Sequence, residues 1–242
     1  MKRMSIEGLD VRHGLLQAVK DVSFVVEQGE TVALVGANGA GKTTLLRAMA
    51  GAHLPHGGRI VVDATDVTAM PAYKRVGFGI ALVPEGRRLF AQMTVEENLL
   101  LARSAGRSGA WTIDLVMETF PQIKRRRNAK AGNLSGGEQQ ATAIGRALMT
   151  NPDILLLDEI SLGLSPIAVE QVYASLTSLM KSGTTCIIVE QDLKRAIAVA
   201  DRVICMLEGR IVLEGRSAQL SREQITEAYF GLSKVQAKAL PS

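Results

Sequence analysis

Aromatic side chains are scarce in this 242-residue chain, at 4%. That leaves little material for the stacked-ring surfaces that hold single-stranded nucleic acid. Cysteine occurs twice, as Cys186 and Cys205, within the apolar runs TTCIIVE and RVICMLE. Both read as small core residues kept reduced, not as a disulfide. Histidine occurs three times, as His13, His53 and His56, with no HExxH spacing and no cysteine partner, which argues against a protein-held zinc. The longest apolar runs, such as Ile154 to Leu157, are four or five residues, far short of the roughly 18 that cross a bilayer. Met1 to Asp10 carries charges but no apolar h-region or cleavage site. No export is therefore expected, and the chain reads as a cytoplasmic globular protein.

What is present is ordinary for a folded domain: 47% apolar and 21% charged residues, which excludes a disordered chain. The length suits one large domain, or a core with an embedded subdomain, and needs neither disulfide nor structural metal. The 28 basic and 24 acidic residues give +4, and Lys124, Arg125, Arg126, Arg127 and Lys130 fall within seven residues. Without interleaved aromatics this run reads as a solvated helix end, with an anionic membrane surface as the second reading and no specific nucleic-acid partner.

Short apolar runs alternate with helical patterns. Thr31–Val35 is a strand followed by a glycine-rich turn and a helix over Thr44–Ala50, closed by Gly51. Ile154–Leu157 has the continuous apolar character of a strand covered on both faces. In Ile167–Met180, Val169, Val172, Tyr173, Leu176, Leu179 and Met180 recur at helical spacing. Thr185–Val189 is another strand, Leu193, Ala196, Ile197 and Ala200 repeat the helical period, and Arg202–Leu207 and Arg210–Leu213 flank a turn at Glu208-Gly209. Such alternation predicts an α/β fold around a mainly parallel sheet. Between Met93 and Thr150 the text is helical and more polar, which predicts a helical insertion.

Three motifs carry chemistry. Gly36-Ala37-Asn38-Gly39-Ala40-Gly41-Lys42-Thr43 fits GxxxxGK[ST] between a strand and a helix, the context of a P-loop. Its glycines let backbone N–H groups approach phosphates, Lys42 would reach the β- and γ-phosphates, and the Thr43 hydroxyl would ligate Mg²⁺. Ile154-Leu155-Leu156-Leu157-Asp158-Glu159 is an apolar strand ending in two carboxylates: Asp158 to hold the magnesium through water, Glu159 to act as general base on the attacking water. Leu134-Ser135-Gly136-Gly137-Glu138 reads as a capping box that opens a helix. Two glycines in that first turn imply a close approach to the backbone, and the exposed N–H groups make a second anion site. One triphosphate has no evident use for two such sites on one chain, so a partner subunit is implied.

The sequence LSGGE between a P-loop and LLLDE resembles the ATP-binding cassette ATPases over nearly the whole chain. GANGAGKTTLL, VPEGRRLF, MTVEENL, LSGGEQQ, AIGRALM and SLGLSP are most similar to the second ATP-binding subunit of branched-chain amino-acid importers. The resemblance implies a P-loop NTPase (RecA-like) core with an N-terminal antiparallel β portion and an inserted helical subdomain. The core would take residues 1–92 and 151–220, the helical subdomain 93–150, and a helical tail 221–242. It further implies ATP and Mg²⁺ as ligands, Thr44 beside Thr43 at the nucleotide, and head-to-tail pairing with a second cassette, heterodimeric by preference. In that pairing Ser135, Gly136 and Gly137 close on the partner's γ-phosphate. Transmembrane permease subunits, and indirectly an extracellular or periplasmic solute-binding protein, complete the implied assembly at the cytoplasmic face of the cell membrane. Import of urea or amides, export of lipid or lipopolysaccharide, and non-transport cassettes acting on DNA or in cofactor assembly rank below. A GTP switch is disfavoured because no NKxD motif occurs.

The chain departs from the general cassette pattern at four places. Glu85 stands where glutamine is usual, as a carboxylate ligand to Mg²⁺. Gln191 stands at the switch histidine and can donate to a γ-phosphate without carrying a proton. The importer subfamily shares both replacements. His13, beside Gly14, takes the place of the adenine-stacking aromatic, and Ile160 replaces the proline after Glu159. Ser161-Leu162-Gly163-Leu164 is the implied contact loop to the partner cassette.

Overall fold

The computed structural model describes residues 2–105, 107–181 and 183–232; of the implied tail, residues 233–242 lie outside them. The chain runs β1 (Met4–His13), β2 (Leu16–Val26), β3 (Thr31–Val35), α1 (Lys42–Met49), β4 (Gly57–Val62), β5 (Thr65–Asp66), α2 (Ala72–Phe78) and β6 (Ile80–Val83). It continues through α3 (Val95–Arg103), α4 (Ile113–Thr119), α5 (Pro121–Lys124), a 3-10 turn (Ala131–Asn133) and α6 (Gly136–Leu148). The last part is β7 (Ile154–Asp158), α7 (Pro166–Lys181), β8 (Thr185–Val189), α8 (Leu193–Val199), β9 (Arg202–Leu207), β10 (Arg210–Arg216) and α9 (Arg222–Phe230).

A six-stranded sheet has the order β10-β9-β3-β8-β7-β6. All its pairings are parallel except the β9–β10 hairpin at one edge. Every residue of β3, β7 and β8 is buried, as expected of parallel strands covered on both faces. Glu208 and Gly209 close the hairpin at φ 49° and 84°, the left-handed pair that a two-residue turn needs. The second sheet, β2-β1-β4-β5, is antiparallel and shares an apolar core with one face of the parallel sheet. This is the α/β architecture with an N-terminal antiparallel portion that the resemblance implied. Between β6 and β7 the described residues form helices and no named strand, in line with the helical reading of that stretch.

Helix α1 starts at Lys42, two residues before its apolar pattern, because the turn at Gly41 (φ 98°) leads directly into it. It ends at a left-handed Gly51, whose N–H donates to the Ala48 carbonyl at 3.0 Å. The fully buried Arg75 also serves that end: its guanidinium donates to the carbonyls of Ala48, Met49, Met70 and Thr68 at 2.7–2.9 Å. Burial draws its pKa down to about 10, so it stays charged at neutral pH. Ile160 is 1% exposed and belongs to the core under the helical insertion. Here an apolar anchor takes the place of the rigid turn a proline would give. The basic run around α5 is exposed, with Arg126 paired to Glu138 and Arg127 to Glu96.

Candidate functional site

The parallel register brings the C-terminal ends of β3, β6, β7 and β8 to one edge, where ligands of open α/β sheets bind. The loops leaving that edge carry 36–43, 84–86, 158–160 and 190–192. Together with the tip of β1–β2 they enclose a cleft of about 510 Å³. It is lined by His13, Asn38, Gly39, Gly41, Lys42, Thr43, Thr44, Glu85, Glu159 and Gln191 from the sequence reading, by Leu162 of the implied partner-contact loop, and by Leu16 and Ala18, which that reading did not single out.

The loop needs its glycines for two separate reasons. Gly36 has φ 149°, and a Cβ there would lie 2.2 Å from the Met206 carbonyl; at Gly41, φ 98°, it would lie 2.3 Å from that of Ala18. A side chain at either position therefore collides with backbone. Ala40 is buried. The Lys42 ammonium donates to the carbonyls of Gly36 at 2.7 Å and Ala37 at 3.0 Å. Burial lowers its pKa, against the raising effect of Glu159 and Asp158.

Asp158 and Thr43 meet: the hydroxyl donates to Asp158 Oδ1 at 2.9 Å. The other carboxylate oxygen is buried without a hydrogen-bond partner. Burial first, then the neighbouring charges of Glu159 and Glu85, raise the Asp158 pKa despite the Thr43 bond. Among the described residues no three His, Cys, Asp or Glu side chains converge as a ready-made metal cluster, but an orphaned oxygen beside a hydroxyl, with Glu85 facing the same cleft, suits a hard divalent cation that takes its remaining ligands from phosphate and water. Thr43, Asp158 and Glu85 thus fit Mg²⁺ shared with a bound phosphate chain.

Glu159 sits at φ 44°, a conformation a non-glycine residue keeps only where its surroundings impose it. Its N–H donates to the Val189 carbonyl at 3.1 Å, and its carboxylate accepts from Gln191 Nε2 at 2.7 Å. His13 is exposed at the rim; its Nε2 is 3.0 Å from the Thr44 hydroxyl, and its ring meets that of His53 edge-on at 4.6 Å.

Ser135, Gly136 and Gly137 do not line this cleft. Ser135 caps α6 in a full capping box with Glu138. The close approach inferred for the glycine pair is made in part by the chain itself: a Cβ on Gly137 would lie 2.8 Å from that of Ala168, and one on Gly136 3.1 Å from Leu164. Ser135 stays exposed and Gly136 half-buried.

The fold and the loop cluster define a P-loop nucleotide-binding cassette. The family model described as ABC transporter matches residues 19–161. A high-affinity branched-chain amino acid transport ATP-binding protein, BraG of Pseudomonas aeruginosa, is 41% identical over 231 residues, covering 94% of this chain and 99% of that one. A lipopolysaccharide export ATP-binding protein, LptB of Haemophilus influenzae, is 32% identical over 96% of this chain and 98% of its own. Among solved structures, a nucleotide-free ATP-binding cassette superposes with a TM-score of 0.82 at 26% identity, covering 94% of this chain and 95% of that one. A cassette dimer bound to ADP and phosphate gives 0.78 at 26%, covering 88% and 98%. The chain belongs to the ABC transporter ATP-binding family and is an ATPase of that family. Among the described residues no helix is long and apolar enough to cross a membrane.

Proposed function

We propose that this chain is the ATP-hydrolysing, energy-coupling subunit of a membrane importer for branched-chain amino acids. The observation that carries the reading is the end-to-end likeness to BraG, 41% over 94% of this chain. In this reading the P-loop N–H groups from Gly36 to Thr44 cradle the phosphates and Lys42 reaches the β- and γ-phosphates. Thr43, Glu85 and, through water, Asp158 hold Mg²⁺, which when bound supplies positive charge against the phosphate oxygens. Glu159 takes the proton of the attacking water, and Gln191, already on its carboxylate, donates to the γ-phosphate. His13 stacks on adenine, with Leu16 and Ala18 beside it. Ser135, Gly136 and Gly137 complete the site of a partner cassette, the Ser161–Leu164 loop touches that partner, and residues 93–150 form the subdomain that faces the permease. Glu85 and Gln191 favour a second, different cassette as partner.

The test is affinity purification of the tagged chain from detergent-solubilised native membranes, with mass spectrometry of what accompanies it. Two permease subunits, a different cassette and an amino-acid-binding protein are expected. Lipopolysaccharide-export components in their place would reassign the cargo. Recovery only from the soluble fraction, with DNA-bound or assembly proteins, would remove transport altogether.

A further inference from the structure

Directly behind Gln191 lies a buried carboxylate that the reading above does not use. Glu190 directly follows β8 at 1% exposure, and Tyr173, inside α7, is nearly as enclosed. The Tyr173 hydroxyl donates to Glu190 Oε1 in a short bond. Glu190 Oε2 accepts the backbone N–H of Gln191 at 3.0 Å and that of Asp192 at 3.3 Å. The Glu190 N–H donates to the Leu34 carbonyl at 3.2 Å, which pins this end of β8 to β3. Arg195 closes the group from α8: its guanidinium is 3.8 Å from Glu190, 3.3 Å from Asp192, and 5.2 Å from the centre of the Tyr173 ring.

A carboxylate is expensive to bury, and it persists where several donors converge on it. What these donors share is informative. Two of them are the N–H groups of the turn that launches Gln191, so the carboxylate fixes the direction in which that side chain leaves the backbone. The Gln191 amide then reaches Glu159 at 2.7 Å. Without Glu190 the two N–H groups lose their acceptor and the turn is free to choose another path. Without the Tyr173 hydroxyl, one carboxylate oxygen loses its donor and the carboxylate can rotate away from the turn.

We propose that Glu190 and Tyr173 are positioning residues for hydrolysis, which together hold the 190–192 turn so that the Gln191 amide stays on the Glu159 carboxylate. The proposal rests on the reading of Glu159 and Gln191 as the hydrolytic pair.

The test is a double-mutant cycle on steady-state ATPase activity in the purified complex, with Tyr173→Phe, Glu190→Gln and Glu190→Ala made alone and Tyr173→Phe also made with Gln191→Ala. Tyr173→Phe keeps the ring's packing and is expected to lower kcat about 3- to 10-fold with KM for ATP within about twofold. Glu190→Ala should cost more, while Glu190→Gln, which still offers the two N–H groups an oxygen, should recover to within about threefold of the native rate. In the Gln191→Ala background Tyr173→Phe should change almost nothing. An equal loss in both backgrounds, no loss from Tyr173→Phe in either, or Glu190→Gln as damaging as Glu190→Ala would overturn the positioning role. Glu159→Gln separates the two levels. If it stops turnover while the cycle is additive, only the positioning role fails. If it turns over normally, the hydrolytic pair itself is wrong.

Discussion

Asp158 answers two opposed demands. Its buried and unpartnered Oδ2 is a cost to the fold; in the proposed reading the same oxygen holds Mg²⁺ through water. Its pKa is raised in the folded chain, by burial first and then by Glu159 and Glu85. The folded state therefore binds this proton more tightly than the unfolded state. The resulting stabilisation is full below the ordinary value of 3.8 and is lost as pH rises through the raised value. Asp158→Asn keeps an acceptor for Thr43 and removes the charge. It is expected to stabilise the nucleotide-free chain by about 1 kcal/mol at neutral pH, a rise in Tm of about 2–4 °C, while ending Mg²⁺-dependent hydrolysis. Melting curves with and without Mg²⁺–ATP check both halves; an Asn variant that melts below the native chain at neutral pH would sink the first. Lys42→Ala should abolish ATP binding, measured by equilibrium titration. Gln191→His tests whether the amide limits the rate: turnover should rise if it does, and an unchanged rate refutes that limit.

The elements show which parts of the molecule the sequence displays and which it hides. Lys42, Thr43, Asp158 and Glu159 were legible because each stands at a fixed offset from a strand end or helix start, and local geometry dictates the residue type there. The strands β3, β7 and β8 were legible as unbroken apolar runs. By contrast β1 and β2, 10 and 11 residues long, left no clear alternation. Their pairing shifts register at three places, and each strand changes the phase of its buried positions once, from Met4 and Ile6 to Leu9 and Val11 in β1 and from Val19 to Val22, Phe24 and Val26 in β2. Arg75 was hidden for another reason. Nothing in its local sequence marks it, and only the fold brings it onto the end of α1, 26 and 27 residues away. Glu190 and Tyr173 are likewise joined across 17 residues. Arg75→Leu should leave four carbonyls without their donor and cost at least about 3 kcal/mol. A lowered denaturant midpoint at unchanged m-value is the expected readout, and a loss under about 1 kcal/mol would mean that water replaces the guanidinium.

At the scale of the whole molecule, the proposed reading has one chain hold the two halves of a hydrolytic site apart. The P-loop cleft contains none of Ser135, Gly136 and Gly137, and Ser135 at the start of α6 is exposed, as the proposed pairing with a second cassette requires. Two chains can complete each other in two ways. In pairs of identical copies, a Lys42→Ala chain and a Ser135→Arg chain, each inactive alone, assemble mixed dimers with one site built from an intact P-loop and an intact glycine pair. Random pairing in equal mixture would then return about a quarter of native turnover, since half the dimers are mixed and each has one good site of two. In pairs with a different cassette, the two variants compete for the same position and mixing returns nothing. In the proposed reading Glu85 and Gln191, which depart together from the general cassette pattern, favour a second, different cassette as the other half of the assembly. No recovery on mixing, and ATP binding retained by the Ser135→Arg chain, is the expected result. A return to about a quarter of native activity would instead establish that this chain pairs with itself.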